Sequence, residues 1–309
     1  MRGIFLSSFT TGLLSLQLFA GFAGAAAARR PSGVVNSGGA HAARPAPSTQ
    51  DEAQEGAFDS LEQALRSPEK VKRLALGVKD SDDGALKMKH LPAGLGTLVN
   101  LEALEMACLE SLEDLPEELG NLRKLESLVI DNGNGCSMNV RLPRSIGQLE
   151  SLRVLRLYGA LDGRDVGNEP SPRSVKSKVL PDSLGNLQRL EELDLGRNGI
   201  RGVPQQVGSL RSLKKLSLDY NDIHDLPAFV GELKNLEELS LNANGGMRLP
   251  QSLANIKGLK IYMGNNRLTL AAQKALRARF PQAVFSFENE YDDDAANQEA
   301  PKPKGRRRR

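Results

Sequence analysis

The sequence predicts an α/β solenoid: a right-handed, horseshoe-shaped coil of short stacked repeats with a parallel sheet on its concave side. Two observations predict this fold class. Leucines and an asparagine return in the pattern L-x-x-L-x-L-x-x-N at a period of 23 residues between residues 190 and 259. Each unit then continues with a segment of the form L-P-x-x-L-G. Such a self-similar period is the signature of a repeat architecture, in which each unit buries its apolar side against its neighbours.

The leucine pairs predict the strands. Leu193 and Leu195, two residues apart, point to the same side of an extended segment. One segment cannot bury them alone, but stacked copies can, by pairing as a parallel sheet with one strand per repeat. We expect the asparagine that follows to end each strand. The asparagines at this position are Asn198, Asn221, Asn244 and Asn266.

The L-P-x-x-L-G segments predict short helical turns on the convex side. Proline fixes φ near −65° and suits the first position of such a turn, as for Pro204. We expect the glycine, here Gly208, to let the chain leave the turn.

About eight repeats are expected over residues 71–268, and two of them are irregular. The third is longer by a few residues, and the fourth by about 15, in the Gly-, Pro- and Ser-rich stretch 159–179. Insertions in a solenoid map to loops on one face, often a binding face. The asparagine position of the first four repeats holds other residues, so their turns must be satisfied in another way. These residues are Lys79, Leu109, Gly133 and Ala160.

Both ends of the solenoid are predicted to carry caps. Residues 57–70 form an N-terminal helical cap, because apolar residues recur at helical spacing from Phe58 to Leu65. Residues 269–287 form a C-terminal cap, a helix over 271–280 followed by a strand over 283–287. Caps cover the sheet edges that the terminal repeats would otherwise leave open.

Residues 1–28 predict a secretory signal peptide. Arg2 precedes a mostly apolar stretch, and the A-x-A cleavage pattern falls at Ala23 to Ala25. The protein is therefore expected to be secreted or periplasmic; a misassigned start or a retained anchor is the alternative. Residues 29–56, rich in Ala, Gly, Pro and Ser, predict a disordered linker.

Residues 288–309 predict a disordered tail, first acidic and then basic. The net charge of the chain is +3, which by itself does not imply a nucleic-acid partner. The basic run offers a weak contact with an anionic surface, and the alternative is a merely solubilising tail. This run consists of Arg306, Arg307, Arg308 and Arg309.

The repeated motifs resemble the leucine-rich-repeat family over residues 57–287. The L-P-x-x-L-G form is similar to the subclass found in Ras-group and disease-resistance-type repeats and in many bacterial repeat proteins. The resemblance implies protein recognition on the concave face, without chemistry. It also implies that the buried asparagine amides hydrogen-bond backbone groups of neighbouring repeats and so form a ladder; losing one such partner costs roughly 1–3 kcal/mol.

Strand residues that alternate with the leucines are candidates for partner binding. Parallel strands lie about 4.8 Å apart, so equivalent residues of neighbouring repeats can reach one partner, and Tyr and Arg are typical of binding hot spots. The alternative is an ordinary solvated face with internal pairs, Arg156 with Asp194 and Arg197 with Asp219. The candidates are Glu105, Asp131, Arg156, Tyr158, Asp194, Arg197, Asp219, Tyr220, Asn242 and Tyr262.

Cys108 and Cys136 are the two cysteines of the chain. In an exported protein an even pair invites a disulfide. The alternative is that Cys108 is a small buried apolar residue and that Cys136 is free.

The sequence predicts no catalytic site, metal or cofactor. The three histidines are scattered without metal-ligand spacing, and no phosphate-binding glycine loop occurs. The acidic pairs Glu191–Glu192 and Glu237–Glu238 are expected at a solvated strand edge.

We therefore predict a monomeric, exported, non-enzymatic module that binds a partner protein on its concave face. Two alternatives stay open: a secreted bacterial effector that binds a host signalling protein, and an envelope scaffold tethered by its basic tail.

Overall fold

The computed structural model describes residues 56–77, 88–109, 111–132, 140–161, 180–245 and 247–287. The predicted signal peptide, most of the linker, Lys79, Gly133, Cys136, the main part of the predicted insertion and the C-terminal tail lie outside these residues. Apart from the first residue of strand β1, all elements below belong to one unit that begins at Phe58.

The described strands form one sheet whose spatial order is the order of the chain. Neighbouring strands pair in parallel from β2 to β10. The strands are β1 Ala57–Phe58, β2 Arg73–Leu76, β3 Ala103–Ala107, β4 Ser127–Asp131, β5 Val154–Tyr158, β6 Glu192–Asp194, β7 Lys215–Ser217, β8 Glu238–Ser240, β9 Lys260–Tyr262 and β10 Val284–Ser286.

Leucines from successive strands build one continuous core. Leu193, Leu216 and Leu239 are directly paired across β6, β7 and β8, and each has an exposed fraction of 0%. Isoleucine continues the row at Ile261 and phenylalanine at Phe285. Each repeat therefore buries its leucines only because its neighbours cover them. The predicted α/β solenoid with a parallel sheet is confirmed.

Two α-helices flank the repeats, α1 Leu61–Arg66 and α2 Leu270–Arg279. Ser60 caps α1 by accepting from the backbone of Gln63. Phe58, the first apolar residue of the predicted N-terminal cap, lies before this helix, in β1. The capping role of both ends stays a prediction. Neither helix in the described part of the chain is long and apolar enough to cross a membrane.

Short 3₁₀ turns follow the L-P segments, and the proline stands just before each turn. Pro143, for example, has φ −70° and ψ 156°, and its carbonyl accepts from Ile146 N at 3.2 Å. The expectation that proline is the first helical residue was thus off by one position. The turns are Ala93–Thr97, Glu117–Asn121, Arg144–Gln148, Asp182–Asn186, Gln205–Ser209, Ala228–Glu232 and Gln251–Asn255, with a further one at Pro68–Lys70.

The glycine of L-P-x-x-L-G lies inside the turn, so the expectation that it lets the chain leave the turn was wrong. This position holds glycine because the next repeat approaches it closely. A Cβ on Gly147 would lie 2.3 Å from the backbone oxygen of Ser183, and one on Gly231 would lie 2.4 Å from the carbonyl carbon of Ser252. Neighbouring turns thus pack backbone against backbone, which leaves no room for a side chain.

We expect Gly147→Ala and Gly231→Ala each to lower the free energy of unfolding by about 1–3 kcal/mol, because the added methyl forces two backbones apart. Gly202→Ala is the matched control, since nothing lies within 4 Å of its Cβ position, and we expect it to change stability by less than about 0.5 kcal/mol. Urea denaturation followed by circular dichroism measures all three. Equal stability of the Gly147 and Gly202 variants would contradict the close-approach explanation.

Candidate functional site

Side chains that alternate with the leucines form rows on the sheet face opposite the core. We call this face, which corresponds to the predicted concave face, the open face. Its central row is Glu105, Val129, Arg156, Asp194, Ser217, Ser240 and Tyr262. The next row contains Asp131 and its partner Tyr158, and continues through Gly196, Asp219, Asn242 and Gly264, whose carbonyls accept backbone bonds from the preceding repeats.

Asp219 is the centre of a hydrogen-bond network that links two repeats. Ser240 Oγ donates to both carboxylate oxygens, at 2.6 and 2.8 Å, and the backbone N–H of Asn242 donates to Oδ1 at 2.7 Å. The Asn242 side chain in turn accepts from Gly264 N at 2.7 Å. Burial raises the pKa of Asp219 to about 6, although the bonds from Ser240 and Asn242 act in the opposite direction.

Asp194 has the same role one repeat earlier. Its Oδ1 accepts from Gly196 N at 2.8 Å, and the Ser217 hydroxyl on the next strand bonds the carboxylate. Burial is the main cause that raises its pKa to about 6. Asp194 and Asp219 therefore hold the carboxyl ends of β6 and β7 in place. Their carboxylate oxygens accept hydrogen bonds from groups within the protein.

The ring of Tyr158 lies against the backbone of Gly196 in the next repeat. A Cβ on Gly196 would lie 2.8 Å from Tyr158 Cδ2, so only glycine leaves room for the ring. Arg197 hydrogen-bonds the Tyr158 side chain, and burial raises the pKa of this phenol. Tyr158 and Arg197 thus form one cluster across two repeats.

Arg197 and Tyr220 occupy the turns that follow β6 and β7, with φ of 58° and 54°. A side chain in this left-handed region costs roughly 1–2 kcal/mol, and glycine or asparagine would be the favoured residue. Both residues therefore lie at the carboxyl-terminal edge of the open face.

Arg156 does not form an ion pair with Asp194, as the alternative interpretation expected. Its Nε donates to Glu192, which lies on the same strand as Asp194, two residues nearer the amino-terminal end. Glu105 shares this part of the face, and burial together with the nearby Asp131 raises its pKa.

The expectation that Glu237–Glu238 is a solvated pair was wrong for Glu238. Its side chain is 9% exposed, because Lys215 and Lys260 on the flanking strands reach its carboxylate at 3.7 and 3.1 Å. Both lysines stand at the positions of the flanking repeats that pair with Glu238, a signal that the expectation did not use. Glu192, Lys215, Glu238 and Lys260 form a row of alternating charge.

The regular spacing of the asparagines places their amides between repeats. Asn221 Oδ1 accepts from the backbone of Asn198 and Ile200 at 3.0 and 3.1 Å, and its Nδ2 donates to Leu195 O at 3.0 Å. Asn198, Asn244 and Asn266 make equivalent bonds.

In the first half of the solenoid, where the ladder asparagines are missing, the strand-end turns are filled by other residues. Leu109 and Ala160 are buried at the asparagine position. Asn132 instead donates from Nδ2 to Gly159 O at 2.9 Å. Sequence reasoning missed Asn132, because it precedes the expected position by one residue; the only available signal was an asparagine next to Gly133.

Cys108, one residue before Leu109, is disulfide-bonded; Cys136, the other cysteine of the chain, lies outside the described residues. Within the described residues, no group of three or more His, Cys, Asp or Glu side chains is placed to hold a metal ion. His90, His224 and the acidic pairs thus supply no such cluster there, and His41 lies outside the described residues.

Comparisons with known proteins agree with the repeat pattern. Residues 172–277, about a third of the chain, match the family described as "Leucine-rich repeat region". TMV resistance protein N of Nicotiana glutinosa is 34% identical over 121 residues, which cover 35% of this chain and 10% of that protein. The match and the parallel sheet together support a leucine-rich repeat protein.

Two solved structures show a similar arrangement at low sequence identity. Internalin C2 of Listeria monocytogenes is 19% identical, covering 72% of this chain and 83% of that one, with a TM-score of 0.48. The Drosophila Toll–Spatzle complex contains a chain that is 19% identical, covering 69% of this chain and 26% of that one, also with a TM-score of 0.48.

Because the pKa values of Asp194 and Asp219 are raised, the stability of the folded protein should depend on pH. Their folded pKa of about 6 exceeds the ordinary 3.8, so the folded state holds these protons more tightly than the unfolded state. The resulting stabilisation is complete below about pH 3.8 and is lost as pH rises through about 6. We expect the double variant Asp194→Asn/Asp219→Asn to lose less unfolding free energy than the wild type between pH 4 and pH 7.

Urea denaturation at a series of pH values measures this difference. Asp222→Asn, at an exposed site, is the control and should follow the wild-type profile. A double variant whose stability falls as steeply as that of the wild type would show that the two carboxyls do not titrate in this range.

Proposed function

We propose that this protein is a non-enzymatic recognition module that binds a partner protein across the open face, through repeats of the L-P-x-x-L-G subclass. The observation that carries the proposal is the cluster of Tyr158 and Arg197 on the backbone of Gly196. It places an aromatic ring and a guanidinium side by side on consecutive repeats. Large aromatic and arginine side chains at the centre of a surface are the residues that dominate binding energy.

The surroundings of this cluster support a preformed surface. Asp194 and Asp219 fix the strand ends beneath it, and Glu192 holds Arg156, whose side chain is still 41% exposed. A surface that is ordered before binding loses less conformational entropy on association. Because the strands are about 4.8 Å apart, Arg156, Tyr158 and Tyr220 can contact one partner together.

We expect Arg156→Ala, Tyr158→Ala and Tyr220→Ala each to weaken partner binding by roughly tenfold or more, as truncation of a hot-spot residue does. The partner is first identified by affinity capture and mass spectrometry with the mature chain as bait. Calorimetry with the purified partner then gives the affinities, and thermal melts confirm that each variant folds.

Lys234→Ala is the matched control, because this exposed lysine lies outside the strands, just after the 3₁₀ turn Ala228–Glu232. If all three open-face variants bound the partner with unchanged affinity, the partner would not bind on the open face and the proposal would be wrong.

Export is a second part of the proposal. The disulfide of Cys108 supports it, since disulfides persist in oxidising compartments and are rare in the cytosol. We expect signal peptidase to remove about the first 28 residues, which sequencing of the mature N-terminus would show. An exported protein that keeps its N-terminus would instead favour the effector alternative, with a dedicated secretion route.

A further inference from the structure

A polar groove lies at the amino-terminal ends of β4 to β7, away from the carboxyl ends that carry the Tyr158 cluster. We call it the edge groove. It encloses about 500 Å³. Its lining includes the four residues that directly precede these strands, Glu126, Arg153, Glu191 and Lys214. Nothing in the proposed open-face function uses these residues.

Three of the lining residues form a fixed chain of charges. Arg153 donates to Glu191 Oε1 from Nε at 2.9 Å and from Nη2 at 2.5 Å, and Lys214 Nζ lies 2.7 Å from Glu191 Oε2. The bond from Lys214 and the charge and hydrogen bond of Arg153 lower the pKa of Glu191. Glu191 is therefore ionised at neutral pH and shared by two cations.

Arg189 is the cation of the groove that has no such partner. It is exposed, and among the described residues its side chain makes no hydrogen bond or ion pair. It stands two residues before Glu191, and the equivalent places in the flanking repeats hold Ser151 and Ser212. These small side chains leave the guanidinium open to the groove on both sides.

We propose that the edge groove binds an acidic peptide segment of a partner protein, with Arg189 bonding a carboxylate of that segment. The groove holds the cations Arg153, Arg189 and Lys214 against the carboxylates of Glu126 and Glu191, which leaves a surplus of one positive charge. The planar guanidinium donates two parallel hydrogen bonds to a carboxylate, which gives both affinity and orientation.

The remaining polar groups favour a peptide over a phosphate polymer. Ser212 Oγ already donates to Gln188 O at 2.6 Å, and Asn235 Nδ2 already donates to Arg211 O at 2.8 Å. Both side chains therefore offer acceptors to the groove. Peptide N–H groups can use these acceptors, whereas a phosphate chain has no donors to offer them.

The test uses the full chain and a fluorescein-labelled peptide of alternating glutamate and glycine, followed by fluorescence anisotropy at low salt. We expect Arg189→Gln to weaken binding roughly tenfold, as the loss of one charge-assisted bidentate contact does. Arg211→Gln is the matched control: this exposed arginine lies outside the groove lining, and both variants keep the basic tail. The same peptide with glutamine in place of glutamate should not bind.

Three results would overturn the proposal: no binding of the glutamate peptide, equal losses in the Arg189 and Arg211 variants, or equal binding of the glutamine peptide. If polyphosphate or DNA displaced the peptide with higher affinity through Arg189, the groove would belong to a phosphate ligand instead. Tyr158→Ala should leave peptide binding unchanged, which separates failure of this site from failure of the open face.

Discussion

No repeat of this protein can bury its own leucines or satisfy its own strand-end turn. Leu216 is covered by Leu193 and Leu239 of the flanking repeats. The side-chain oxygen of each ladder asparagine accepts from the backbone of the preceding repeat. Asn221 accepts from Asn198 N in this way, and Asn244 accepts from Ile223 N. A buried amide left without these partners would lower the free energy of unfolding by roughly 1–3 kcal/mol. The stack is therefore held by contacts between nearest neighbours, and its stability is approximately a sum over them.

The spacing set by the leucine core is imposed on every other surface. On the convex side it brings the 3₁₀ turns so close that only glycine fits at Gly147. On the open face it brings Ser240 within hydrogen-bond distance of Asp219. At the strand edge it lets Glu191 reach Arg153 and Lys214 on either side. One repeat distance thus determines which side chains on three different surfaces can meet.

The period and its leucines were sufficient to predict the strands, their parallel pairing and the row from Glu105 to Tyr262, because these follow from position within the repeat. The sequence did not predict that Arg156 pairs with Glu192, that Glu238 is buried between two lysines, or why Gly147 is glycine. Those depend on distances between repeats and on rotamers, which a one-dimensional pattern does not contain. Asn132 was missed for a related reason: a one-residue shift in an irregular repeat moves the amide out of the expected register.

The two surfaces differ in how their charges are used. On the open face the carboxylates of Asp194, Asp219 and Glu238 are buried and bonded within the protein, so a partner gains little by approaching them. A partner on the open face would instead contact the ring of Tyr158 and the turns that carry Arg197 and Tyr220. The edge groove instead keeps the guanidinium of Arg189 available. A partner that covers both surfaces would be positioned by packing on the first and selected by charge on the second, so salt should weaken contacts at the edge more than those on the open face.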